Sequence, residues 1–97
     1  MWMWKSKYFM LGRIVWTNTI NSVIAENGKF AKEICNIMNR HCGKDWGEMS
    51  EEDKELNNIA ITCNERVLAS YQTSQGKVYV ITEWDRSITT ILFASEY

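Results

Sequence analysis

The sequence predicts an α+β fold: three short helices packed on an antiparallel sheet of three to four strands. Three observations carry this. In the first two thirds of the chain, apolar residues recur at three- and four-residue intervals between helix-capping residues. In the last third the pattern changes to β-branched and aromatic runs separated by short turns. Helices followed by a block of strands place the helices on one face of an antiparallel sheet, rather than alternating with strands in βαβ units.

Each element has a local cause. Tyr8-Phe9-Met10-Leu11-Gly12-Arg13-Ile14-Val15-Trp16 is rich in aromatic and β-branched types and reads as a strand bent at Gly12. Thr17 or Asn18 then caps a helix running to about Glu26, which Asn27-Gly28 stops. A second helix spans Lys29 to Arg40, with Phe30, Ile34, Ile37 and Met38 on one stripe, and ends at Cys42-Gly43. Residues 43–49 form a connector built on Asp45-Trp46-Gly47. Ser50-Glu51-Glu52-Asp53 is a capping-box pattern that opens a third helix to about Cys63, and its acidic first turn suits the positive end of the helix dipole. Arg66–Thr73, Lys77–Glu83 and Ser87–Phe93 are strand-like. Ser74-Gln75-Gly76 and a tighter Asp85-Arg86 turn join them into a meander, and the first strand supplies a fourth member.

Ninety-seven residues make one domain, 1–97, with residues 1–7 as an N-terminal extension that is flexible or partner-binding. Composition is that of an ordinary globular chain: 45% hydrophobic, 24% charged, without proline. Eleven basic residues against twelve acidic give a net charge of −1, which argues against direct nucleic-acid binding, since phosphate neutralisation needs a basic excess. No apolar run approaches the roughly 18–20 residues that cross a bilayer, so no membrane association is expected. The opening Met1-Trp2-Met3-Trp4-Lys5-Ser6-Lys7 puts its charges after a four-residue apolar stretch and does not fit a secretory signal. Cys35, Cys42 and Cys63 are odd in number and lack a C-x-x-C pair, which fits a reducing, cytoplasmic setting. Five tryptophans (Trp2, Trp4, Trp16, Trp46 and Trp84) exceed what one small core takes easily, so either some lie at a surface or all thicken a thin core.

Several stretches together resemble a known family. They are Leu11-Gly12-Arg13-Ile14-Val15, Arg40-His41, Asp45-Trp46-Gly47, Glu52-Asp53, Leu68-Ala69-Ser70-Tyr71, Ile81-Thr82-Glu83-Trp84-Asp85-Arg86-Ser87-Ile88-Thr89-Thr90-Ile91-Leu92 and Ser95-Glu96-Tyr97. They resemble a family of small bacterial, plasmid and phage proteins often labelled "plasmid-related protein" or "type I restriction endonuclease subunit M". The family pattern runs L-G-Q-[IV]-V-A-T, R-H, G-D-W-G, E-D, R-L-L-S-A-Y and I-T-E-A-D-R-S-x-T-T-x-L-L-P-x-[ED]-Y. The resemblance covers about residues 9–97, and its terminal motif is the most specific part. It implies a setting of plasmids, phages and host defence. A methylating subunit would need a glycine-rich cofactor loop and a base-flipping motif, and the sequence has neither. The chain departs from the pattern at Lys44, where glycine is usual, at Trp84 in place of alanine, at Asn58 in place of glutamate and at Phe93-Ala94 in place of Leu-Pro.

Five groups could carry chemistry. Glu83, Asp85, Arg86 and Ser87 form either a polar grip for a carboxylate, phosphate or basic ligand, or a turn whose side chains bond local backbone while Arg86 pairs with Glu83 or Asp45. Asp45-Trp46-Gly47 is either a binding loop or a packing anchor. Cys35, Cys42, Cys63 and His41 lack the short paired spacing of a zinc site and read as core residues, so no metal and no cofactor is expected. A nucleophilic Cys42 beside His41 is disfavoured because adjacent helical residues point apart. Glu48, Glu51, Glu52, Asp53 and Glu55 form an acidic patch, read as a solvated helix start or a nucleic-acid mimic.

The reading that follows is a non-enzymatic mobile-element protein that binds and inhibits a host defence protein or complex, of anti-CRISPR or other anti-defence type. Its expected contact residues are Trp84, Asp85, Arg86, Glu83, Trp2, Trp4, Asp45 and Trp46. The alternative is a small-molecule or nucleotide-binding regulatory module using Arg66, Glu83, Asp85 and Arg86. A third reading is a homodimer joined through its tryptophans.

Overall fold

A computed structural model of the chain describes residues 4–97. It shows strand β1 (Arg13–Trp16), helices α1 (Asn18–Glu26), α2 (Gly28–Cys42) and α3 (Glu51–Cys63), strands β2 (Val67–Thr73), β3 (Gly76–Thr82) and β4 (Ile88–Phe93), and a closing 3₁₀ turn at Ala94–Glu96. The fold is α+β, three helices with a four-stranded sheet in the order β1-β4-β3-β2. The meander β2-β3-β4 is antiparallel as expected, but β1 joins it parallel to β4, with Arg13 opposite Ile88 and Trp16 opposite Ile91. The sheet is therefore mixed. β1 is also shorter than the sequence suggests, because residues 8–12 have no ladder partner and Gly12 turns the chain at φ 66°.

The helix boundaries follow from side-chain caps. Thr17 accepts from the Ile20 amide at 3.2 Å, Asn27 from the Phe30 amide at 3.0 Å, and Ser50 from the Asp53 amide at 3.1 Å. Each satisfies a donor that the first helical turn leaves unpaired. Asn27 ends α1 and starts α2, so the two helices meet with no linker. α3 stops at Asn64 in the left-handed region.

Three rows of side chains cross the sheet on its helix-bearing face: Val67, Thr82 and Thr89; Ala69, Val80 and Ile91; Tyr71, Val78 and Phe93. All but Phe93 are buried. α2 packs here, stacking Phe30 on Phe93 with ring centres 5.6 Å apart and sinking Ile34, Ile37 and Met38 beneath. α3 does not join α2 on this face. It flanks the outer edge of β2, where the Asn57 amide bonds both the carbonyl (2.8 Å) and the N–H (3.3 Å) of Leu68. Next to it Gly47 bridges Ser70, with Glu48 N–H donating to the Ser70 carbonyl at 2.6 Å and Ser70 N–H to the Trp46 carbonyl. One sheet edge is thus closed by side chain and loop together.

Candidate functional site

Trp84 is the most exposed of the described tryptophans, with 64% of its surface open. It sits in the loop between β3 and β4. The loop closes by Glu83 N–H to the Ile88 carbonyl and Arg86 N–H to the Glu83 carbonyl, at 3.0 and 2.9 Å. Asp85 accepts from both the N–H and the hydroxyl of Ser87, at 3.0 and 2.6 Å, and these bonds hold its carboxyl below the usual carboxylate range. Arg86 adopts φ 59°, a left-handed conformation that its hydrogen bonds support. Its guanidinium donates to the carbonyls of Ala60 (2.9 Å), Glu65 (2.7 Å) and Glu83 (3.0 Å). Ala60 lies in the last turn of α3, where its carbonyl also accepts from the Asn64 and Glu65 amides, so Arg86 ties the loop to the C-terminal end of that helix from another element. The expected pairing of Arg86 with the Asp45 loop is absent; Asp45 is held by Arg40, Nε–Oδ2 2.8 Å and Nη2–Oδ1 3.2 Å. That same hydrogen bond keeps the Asp45 carboxyl low.

Glu83 pairs with Arg66 at 3.6 Å, and Arg66 also donates to the Tyr97 hydroxyl at 2.8 Å. The four side chains expected to line a polar ligand pocket are therefore occupied with one another and with backbone. Around Trp84 the loop is a stiff pedestal. α3, to which Arg86 ties it, exposes Leu56 (57%) and Ile59 (44%), three residues apart on one helical face. Sequence reading missed both, because i and i+3 spacing on a helix looks the same whether the stripe faces core or solvent.

The other expected contact residues separate. Trp46 is 2% exposed, so its indole cannot meet a partner. It packs against His41 and Phe9 and donates to Asn58 Oδ1 at 2.9 Å. Asp45 is exposed but serves as an anchor, accepting from Gly47 N–H while its own carbonyl takes the Tyr71 hydroxyl at 2.7 Å. A Cβ at Gly47 (φ 77°) would collide with Ser70 and the Tyr71 ring, which is why the loop needs glycine there. Trp4 is half-buried, and Trp2 lies outside the described residues.

His41 is sealed. Thr89 donates its hydroxyl to the Leu11 carbonyl at 2.7 Å, so the 2.8 Å contact between Thr82 and Thr89 uses the Thr82 proton. His41 Nε2 must then be the donor across its 3.0 Å contact with Thr82. The imidazole is neutral, with Nδ1 a buried acceptor lacking a partner. Burial lowers its pKa to about 3. All three cysteines are free, Cys42 buried, Cys35 half-buried and Cys63 exposed, and burial raises the thiols of Cys35 and Cys42. Among the described residues no three His, Cys, Asp or Glu side chains cluster to hold a metal, and no helix is long and apolar enough to cross a membrane.

The grooves on the surface of the described residues include the following. One of about 250 Å³ is polar, between Lys44 and Asn58. One of about 430 Å³ runs under the segment from Trp4 to Gly12. The third, about 410 Å³, is walled by Trp4, Trp16 and the facing sides of α1 and α2. None is lined by Arg66, Glu83, Asp85 or Arg86. No family model matches the chain, and no curated protein or solved structure matches it either.

Proposed function

We propose that this chain is a non-enzymatic protein of a phage or other mobile element that binds and inhibits a component of bacterial defence, with Trp84 as the anchor of the contact. The supporting observation is an indole with 64% of its surface exposed, on a loop whose backbone is fixed from below by Arg86, Asp85 and the Glu83–Arg66 pair. Interfaces concentrate their energy in a few large aromatic residues, and a rigid loop loses little entropy when it docks. Leu56 and Ile59 add apolar area on α3, the helix that Arg86 ties to this loop.

Charge favours a basic partner. The near-zero total conceals a split: seven of the eleven Lys and Arg precede Asp45, and ten of the twelve acidic residues lie from Asp45 onward. The stretch of chain that carries Trp84 is thus acidic, a charge that suits the basic clefts of nucleic-acid-handling proteins. The defence setting rests on the resemblance of the Ile81–Leu92 stretch to mobile-element proteins.

The test is phage plating on hosts that each carry one defence system, with and without this chain. The chain restores plating on at least one such host and co-purifies with a protein of that system. Trp84→Ala folds with stability within about 0.5 kcal/mol of the parent and loses both effects. Full protection by Trp84→Ala would remove the anchor, and no restoration on any host would remove the inhibitor reading.

A further inference from the structure

The apolar groove at the other end of the molecule is independent of Trp84. Trp4 and Trp16 form its walls and Ile24 of α1 and Ala31 of α2 its sides, with Gly28, Lys32, Ile34 and Cys35 of α2 completing the lining. Its volume, about 410 Å³, lies within the range of small-molecule sites. The space exists because α2 presents Gly28 and Ala31, one turn apart, where larger side chains would fill it.

Lys32 is the one charged residue of the lining. Among the described residues it makes no ion pair, while its neighbour Glu33 is committed elsewhere, accepting from the Ser74 N–H and hydroxyl at 3.0 and 2.6 Å. Lys29, one turn before, likewise has no acidic partner. An apolar trough with an uncompensated ammonium at its mouth selects an apolar body carrying a single negative head.

We propose that this groove binds an amphipathic monocarboxylate of medium chain length, its alkyl tail between the two indoles and its carboxylate on Lys32. Cationic and neutral amphiphiles of equal length lack the partner for Lys32 and bind more weakly.

The probe is decanoate below its aggregation concentration, with decanol and decyltrimethylammonium as equal-length controls. Cys35 lies in the lining, so in a Cys63→Ser background its alkylation by a maleimide reports occupancy. Decanoate protects Cys35 saturably, and both controls protect at least about tenfold less well. Lys32→Glu raises the decanoate concentration needed by a similar factor while leaving the melting temperature unchanged. Ala31→Trp fills the trough and removes protection, with the circular dichroism spectrum as the check of its fold. Equal protection by all three amphiphiles, no protection by decanoate, or an unaltered response in Lys32→Glu overturns the proposal. None of these outcomes bears on Trp84.

Discussion

Two residues carry stability consequences that follow from their surroundings alone. His41 is held neutral, with a folded pKa of about 3, whereas an unfolded histidine titrates near 6.5. Its contribution is complete above about pH 6.5. As pH falls below that value the unfolded chain takes up a proton that the folded chain refuses, so stability declines toward pH 3, by up to about 1.4 kcal/mol per unit. Denaturant titrations at pH 7 and pH 4.5 should show His41→Leu losing its disadvantage relative to the parent as pH drops. Lys44 is the second case. It occupies φ 66°, in the left-handed region that costs a side-chain-bearing residue energy, and it stands where the resembled pattern has glycine. Lys44→Gly is expected to raise stability by up to about 1 kcal/mol, glycine's extra unfolded-state freedom offsetting part of the gain. Thermal denaturation measures it.

Elements were legible wherever their cause is local. Ser50 caps the helix the sequence assigns it, Thr17 is the cap of the Thr17-Asn18 pair, and Phe30, Ile34, Ile37 and Met38 form the buried stripe of α2, whereas Asn27, expected only as a stop, also caps α2. The meander was legible from its alternation and turns. What was not legible depends on residues far apart in the chain. Four residues of β1 hold no sign of whether they join an edge parallel or antiparallel, because the choice is made by Ile88–Ile91. Trp46 and Trp84 look alike in a sequence; Asn58 and His41 bury the first, and a loop braced by Arg86 lifts the second into solvent. Element junctions are also where substitution does most harm. A Cβ on Gly12, at φ 66°, would overlap the backbone of Arg86 and Ser87, so Gly12→Ala should cost more than about 2 kcal/mol in chemical denaturation. It should also disturb the loop that presents Trp84, since both sit on the same backbone contact.

At the scale of the whole molecule, the charge split along the chain predicts the kinetics of association with the proposed basic partner. Attraction between an acidic half and a basic partner is long-ranged and screened by salt. Raising ionic strength from about 0.05 to 0.5 M should slow association with the proposed partner by roughly an order of magnitude or more while changing dissociation little. Stopped-flow or surface-capture kinetics separate the two rates. Trp84→Ala should do the reverse, accelerating dissociation and leaving the salt dependence of association intact. Decanoate uptake through Lys32 should be less steep in salt than the protein association, since it involves one charge rather than a field.

The parallel pairing of Arg13–Trp16 with Ile88–Ile91 ties the first of these four strands to be synthesised to the last of them. During translation α1 and α2 can form while β1 has nothing to lie against, and the sheet closes only once Phe93 has left the exit tunnel. A premature stop between β3 and β4 would therefore cost more than its own few residues. It would orphan β1 as well, exposing Ile14 and Val15 to whatever protease or chaperone reaches them first.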